Sequence, residues 1–192
     1  MELKNKVAVI TGGSGGIGRA MAKAFLKEGA NAVVLVDLNE AAVMAAANEL
    51  GCDGEVCDVT NEDQLAAVVK RTLEKYDRID LFCSNAGAGA GGLLTDAPND
   101  IWQKQWDLHV MSHLYAARAV LPAMIERGDG YLLNTASAAG LLAAIGSGPY
   151  TVTKGAAIKL AEFLSITHGD EGIKVSVLCP QGVNTAMAPR SL

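Results

Sequence analysis

The chain has 192 residues, 50% apolar and 19% charged, with 21 glycines and a formal net charge of −5. This is the composition of one globular domain over residues 1–192, too apolar for disorder and large enough to bury a continuous core. The acidic balance excludes the basic patch that nucleic acid or an anionic membrane surface requires, and with neither a signal sequence nor an apolar stretch of membrane-spanning length the expected compartment is the cytoplasm.

Taken in chain order, short apolar runs at 6–11, 32–37, 55–58, 79–84, 131–136 and 174–178 are predicted strands, alternating with predicted helices at about 17–28, 40–50, 61–75, 101–126 and 150–168. The first, second, fourth and sixth runs are almost wholly apolar, as strands covered by helices on both faces must be. Right-handed crossovers then give an α/β fold, a doubly wound parallel sheet of Rossmann-like type with six strands. The alanine-rich 41–47 is an ordinary helix, since alanine is the best helix former. Cys52, Cys57, Cys83 and Cys179 show no CxxC spacing, so they read as free thiols, with no metal site expected.

The first strand runs directly into Thr11-Gly12-Gly13-Ser14-Gly15-Gly16-Ile17-Gly18 and then into a helix. Glycine lets the backbone approach a pyrophosphate, and a helix start offers unpaired N–H groups and the positive end of a dipole. Gly13, Gly15 and Gly18 fit GxGxxG, while Gly12, Gly16 and Gly18 fit TGxxxGxG; spacing leaves both registers open. Asp37 closes the second strand 19 residues after Gly18, where a carboxylate can accept from both adenosine ribose hydroxyls and repels a 2′-phosphate. Its plainer role is a turn or helix-cap carboxylate. No Lys or Arg stands within 12–16 or at Leu38 and Asn39, so the expected cofactor is NAD rather than NADP.

Further along come Cys57-Asp58-Val59-Thr60, Asn85-Ala86-Gly87, Ser137 and Tyr150-Thr151-Val152-Thr153-Lys154. With the glycine loop, and in this order, they resemble the short-chain dehydrogenase/reductase family from Met1 to about Met187. The resemblance implies that Gly12, Ser14, Gly16, Ile17 and Gly18 hold the dinucleotide with Asp37. It also implies that Asp58 lies against the adenine, that Val59 is a cofactor contact, and that Asn85, Ala86 and Gly87 support the sheet beside the cofactor. Pro180-Gln181-Gly182-Val183-Asn184-Thr185 is similar to the family's Pro-Gly-x-Val-x-Thr segment; Val183 and Thr185 carry over, Thr185 as partner of the carboxamide, while Gln181 stands where glycine is usual.

The chemistry has its own logic. Tyr150 and Lys154 are four residues apart, hence on one helix face, and a cation there, with the positive nicotinamide of NAD, favours tyrosinate. Tyr150 can then act as general base in oxidation and general acid in reduction. Ser137 lies at the carboxyl end of the fifth strand, where open α/β sheets bind ligands, and its hydroxyl can hold the substrate oxygen. Lys154 is also expected on the nicotinamide ribose. His109 occupies the position where the family has an asparagine that holds a water linking the lysine to solvent. Histidine also bonds water but titrates near neutral pH; a proton relay, a tolerated substitution and an impaired site all remain open.

The expected activity is NAD-dependent hydride transfer between a nicotinamide cofactor and a secondary alcohol or ketone, with a small-molecule substrate whose identity the sequence leaves open. A non-catalytic dinucleotide-binding or interaction module is the alternative; an epimerase or dehydratase would need a sugar-nucleotide domain. Leu192 comes before the helical lid and seventh strand with which the family continues, so an uncovered site and a bare sixth strand are expected. Two apolar stripes, Val110, Leu114, Ala117 and Leu121, and Ala157, Leu160 and Leu164, predict a homodimer or homotetramer.

Overall fold

The computed structural model describes residues 1–185; the end of the resemblance, Ala186 and Met187, lies outside them. Six strands form one parallel sheet in the order β3-β2-β1-β4-β5-β6: β1 Val7–Thr11, β2 Ala32–Asp37, β3 Asp53–Val56, β4 Leu81–Ser84, β5 Gly130–Thr135 and β6 Ile173–Leu178. The helices are α1 Gly16–Lys27, α2 Glu40–Leu50, α3 Glu62–Tyr76, α4 Asn99–Trp106, α5 Ser112–Arg127 and α6 Gly148–His168.

Alternation along the strands sends side chains to two separate cores. Ala8, Ile10, Val33 and Leu35 pack with Ala22 of α1 and Val43, Ala46 and Ala47 of α2. Val9, Val34, Val36, Phe82 and Leu132 face the other way, onto Leu65 and Val68 of α3, Val120 and Met124 of α5 and Leu164 of α6. Every second residue of a central strand is thus buried on each side, which is why these strands are apolar throughout. At the sheet edge remote from the site, Asp80 is fully buried and accepts hydrogen bonds from Val7 N at 2.9 Å and Lys6 Nζ at 3.2 Å. With Arg78 beside it, it pins the start of β4 to β1.

Two expectations are corrected. The third strand is Asp53–Val56 rather than 55–58: Gly51 ends α2 in the left-handed region at φ 67°, so the chain joins β2 within two residues. Asp53-Gly54-Glu55 is polar because this is an outer strand, with Asp53 paired to Lys75 and Glu55 to Arg71. The predicted helix at 101–126 is α4 and α5 joined by a π-helical turn, Asp107–Met111; its extra residue turns His109 into the interior, where it is fully buried. The two apolar stripes are covered only in part by the chain's own core: Ala117, Leu121, Ala157 and Leu164 are buried, whereas Val110, Leu114 and Leu160 are half-buried. The exposed apolar residues of α6 are Val152, Phe163 and Ile166. Among the described residues no helix is long and apolar enough to cross a membrane.

Candidate active site

Strand order reverses at β1, which lies between β2 and β4. A crevice opens at the carboxyl ends of the strands there, and it widens into a cleft of about 580 Å³ reaching from Asp37 and Asp58 at one end to Ser137, Tyr150 and Lys154 at the other. Both Gly12-to-Gly18 registers place glycines on this wall, and sterics now separate them. Gly12 has φ 63°, and a Cβ there would lie 2.9 Å from Ala86 Cα; at Gly18 it would lie 2.4 Å from Gly12 O, and at Gly16 2.6 Å from Thr185 Cγ2. Gly12, Gly16 and Gly18, the TGxxxGxG set, are each required by close approach, whereas a Cβ at Gly15 would meet one atom, Gly12 O at 3.3 Å. Gly13 is pressed on the sheet, where a Cβ would lie 2.8 Å from Leu35 Cβ.

The start of α1 carries no side-chain cap and no acid in its first turn. Its leading N–H groups, at Gly16, Ile17 and Gly18, lie on the cleft wall, a donor set suited to an anionic phosphate. Asp37 accepts from Ser14 N at 3.1 Å and Ser14 Oγ at 2.6 Å through one carboxylate oxygen, and from Asn39 N at 3.3 Å through the other. It is therefore a turn carboxylate as well as a residue of the cleft lining. Asp58 begins the turn into α3, accepting from Thr60 N at 2.9 Å; Val59 is buried beside it. Among the described lining residues the sole cation is Lys154, at the opposite end from Asp37.

Asn85 and Ala86 hold the middle. Thr11 Oγ1 accepts from Asn85 N at 2.9 Å and Ala86 N at 3.1 Å, and Asn85 Nδ2 donates to Thr11 O at 3.0 Å. These bonds lock the loop after β4 to the end of β1. Gly87 leaves room for two side chains: a Cβ there would lie 3.4 Å from both His109 Nε2 and Lys154 Nζ.

Lys154 is 3% exposed and donates to Thr135 O at 2.9 Å. Burial lowers its pKa to about 8. Its ammonium stands 5.7 Å from the centre of the Tyr150 ring, and His109 meets that ring edge-on at 5.3 Å between centroids. Ser137 caps a short 3₁₀ turn, Ala138–Gly140, accepting from Ala139 N at 3.1 Å, and shares the cleft with Tyr150. Ser137, Tyr150 and Lys154 are thus brought together. Val183 also lines the cleft, and Thr185 reaches the glycine loop at Gly16.

His109 does not behave as its position predicts. Its Nδ1 is 2.9 Å from Thr153 Oγ1, which itself donates to Pro149 O at 2.8 Å, so Nδ1 carries the proton; Nε2 accepts from Ala88 N at 3.3 Å. Burial lowers its pKa to about 3, with Lys154 adding to the effect. The expected titration near neutral pH is therefore overturned: the imidazole is neutral, its one lone pair is engaged, and it ties the π-helical turn to α6 and to the loop after β4. Sequence reasoning missed His113, one turn on. It is buried, both ring nitrogens lack a protein partner among the described residues, and burial, then Lys154, lowers its pKa to about 3. Its spacing from His109 was the available signal.

Known proteins share this fold. The family model described as short chain dehydrogenase matches residues 6–191. A relative from Eggerthella lenta, 3beta-hydroxysteroid dehydrogenase 2, is 33% identical over 190 residues, covering 95% of this chain and 73% of that protein. Oxidoreductase UcpA of Escherichia coli is 34% identical, covering 97% and 73%. A short chain dehydrogenase/reductase from Burkholderia phymatum, crystallised in complex with NAD, superposes with a TM-score of 0.93 at 33% identity over 97% of this chain and 69% of that one. A glycine loop at the switch point, a Tyr and Lys one turn apart on α6, and these matches over nearly the whole chain carry one conclusion: the chain belongs to the short-chain dehydrogenase/reductase family of oxidoreductases.

Proposed function

We propose that this chain moves a hydride between NAD and the carbon of a secondary alcohol or ketone, with Ser137, Tyr150 and Lys154 handling the proton and the oxygen. The observation that carries the proposal is the buried Lys154 ammonium, 5.7 Å from the Tyr150 ring centre in a cleft that also holds Ser137. The remote end of that cleft offers Asp37 and uncapped N–H groups of α1 to a dinucleotide. NAD, when bound, supplies the hydride acceptor or donor. Gly12, Ser14, Gly16, Ile17 and Gly18 would hold its pyrophosphate, Asp37 the adenosine ribose, Asp58 and Val59 the adenine end, and Val183 and Thr185 the nicotinamide end. Asn85, Ala86 and Gly87 would support it from the sheet.

In the oxidation direction Tyr150 Oη takes the substrate hydroxyl proton as the C–H bond gives up its electron pair and the carbonyl forms; in reduction the same hydroxyl returns the proton. Ser137 Oγ donates to the substrate oxygen and fixes its distance from Tyr150. Lys154, aimed by Thr135 O, holds its ammonium beside the Tyr150 ring, where a charge developing on the tyrosine oxygen would meet a cation. His109 positions rather than titrates: it packs its ring against Tyr150 and fixes the turn that faces Lys154. The same reading places the protein in the cytoplasm, with its four thiols free, as a homo-oligomer.

The test is NADH-coupled turnover of secondary alcohols and ketones by the intact chain and by Tyr150→Phe. The variant is expected to lose turnover by about 10²-fold or more while its NAD dissociation constant stays within about threefold. A Tyr150→Phe variant retaining most of its activity would place the proton transfer elsewhere.

A further inference from the structure

We propose that the substrate is an uncharged molecule with a sizeable apolar body, held against a hydrophobic lip formed by the loops 88–97 and 138–147 on the substrate side of Tyr150. The proposal rests on the assignment of Ser137 and Tyr150 as the reacting end of the cleft. The two loops carry Leu93, Leu94, Leu141, Leu142 and Ile145, all large, apolar and exposed. Ile145 at 98% and Leu94 at 80% are the most exposed large apolar residues of the described chain. Scattered single leucines on a surface need no explanation; five large apolar residues on two joined loops that both enter the cleft do.

Backbone hydrogen bonds make the two loops one structure. Gly92 N donates to Gly146 O at 2.8 Å and Gly148 N to Gly92 O at 3.0 Å, so the chain segment before α4 is stitched to the one that starts α6. Ala144 N donates to Thr151 Oγ1 at 3.2 Å, fixing the second loop to the helix that bears Tyr150. Leu142 N donates to Ala138 O at 2.9 Å, continuing the turn that Ser137 caps. Each loop also enters the cleft: Gly89 and Ala90 line it from the first, Ser147 from the second. The five apolar side chains stand outside the cleft lining, on the same two loops, and are exposed there to the part of a substrate that projects beyond Tyr150.

Charge selects the occupant. Residues 88–97 and 138–147 hold no Lys, Arg or His and a single acid, Asp96. A carboxylate, phosphate or thioester-linked nucleotide on the body of the substrate would find no cation there and would lose hydration against leucine and isoleucine. A neutral aliphatic or alicyclic body would gain with each methylene buried.

The test uses a series of methyl ketones of increasing chain length with NADH, alongside the same chains ending in a carboxylate. kcat/KM is expected to rise about two- to fourfold per methylene, with each carboxylate about tenfold or more below its methyl-ended counterpart. Leu142→Ser and Ile145→Ser should flatten that slope, lowering the longest ketone about tenfold and leaving the shortest within about twofold. A flat slope in the intact chain, equal use of the carboxylates, or variants that injure short and long ketones alike would overturn the proposal. So would serine variants that dissociate an oligomer in light scattering while leaving the slope unchanged, because the lip would then be an interface between copies. Dissociation constants for the same series separate the two readings: affinity that climbs with chain length in a protein without turnover sustains the lip and defeats the chemistry, and flat affinity defeats the lip.

Discussion

Replacing Lys154 with methionine should make the protein more stable and useless as a catalyst, and the stability gain should depend on pH. The native ammonium is 3% exposed, and burial is the cause of its fall in pKa from 10.5 to about 8. Each tenfold in that proton equilibrium is worth about 1.4 kcal/mol, so holding the charge inside costs of order 3 kcal/mol at neutral pH. Lys154→Met keeps the length of the side chain, removes the charge and leaves Thr135 O without its 2.9 Å donor, a loss of about 1 kcal/mol. The net is about 2 kcal/mol in favour of the variant, or a rise in Tm of about 4–8 °C for a domain of this size. Because the folded pKa lies below the unfolded one, both states bind the proton below about pH 8 and the full penalty applies. Between about 8 and 10.5 the unfolded state alone binds it, so wild-type stability climbs with pH through that window. Above it the penalty is gone and the lost hydrogen bond leaves the variant the weaker of the two. Urea unfolding of both proteins, free of NAD so that ligand does not stabilise one of them, checks this at about pH 7 and about pH 10. A difference between variant and wild type that is the same at both pH values would refute the buried-charge account.

Asp37→Ala should narrow a preference for NAD over NADP of about tenfold or more, equivalent to about 1.4 kcal/mol, when dissociation constants for both cofactors are titrated; equal binding by the intact chain would remove Asp37 from the ribose. His109→Asn should stay active and show the same acid limb in its pH–rate profile as wild type, because a group whose pKa is lowered to about 3 does not titrate in that range; a wild-type limb near pH 6–7 that vanished in the variant would restore a titrating relay. Light scattering is expected to show a homo-oligomer that Phe163→Ser or Ile166→Ser on α6 weakens, and a stable monomer at micromolar concentration would count against it.

Sequence periodicity was enough for the sheet. Burial on two faces leaves an unmistakable mark on the central strands, and the glycine loop between β1 and α1 stands out because close approach of backbone to backbone leaves no room for a Cβ at Gly12 or Gly18. Asp37, Ser137, Tyr150 and Lys154 were singled out by strand ends, helix pitch and the family resemblance; that they line one cleft is what the tertiary structure adds. The third strand was placed two residues late because outer strands keep polar residues, so Asp53-Gly54-Glu55 carries no apolar signal. The two helix stripes were legible only in part, because periodicity shows that a face is apolar and is silent on what covers it: the chain's own core buries Ala117, Leu121, Ala157 and Leu164 and leaves Val110, Leu114 and Leu160 half-buried. The competing glycine registers were separated by contacts from Ala86 and Thr185, both remote in sequence.

His109 shows where local information ends. The sequence alone determined that a histidine stands in the crossover helix one turn before another, and that free imidazole titrates near neutral pH. Tertiary structure decided the rest: a π-helical turn rotates the ring inward, Thr153 and Ala88 occupy its two nitrogens, and desolvation beside Lys154 removes the charged form. The hydrophobic lip followed the same division, since its five apolar residues were plain in the sequence, yet only the Gly92–Gly146 pairing joins the two loops that carry them beside Tyr150. Residue type and spacing set which chemistry is available; burial and long-range backbone pairing set which of it is used, because both depend on neighbours that the chain supplies from far along its length.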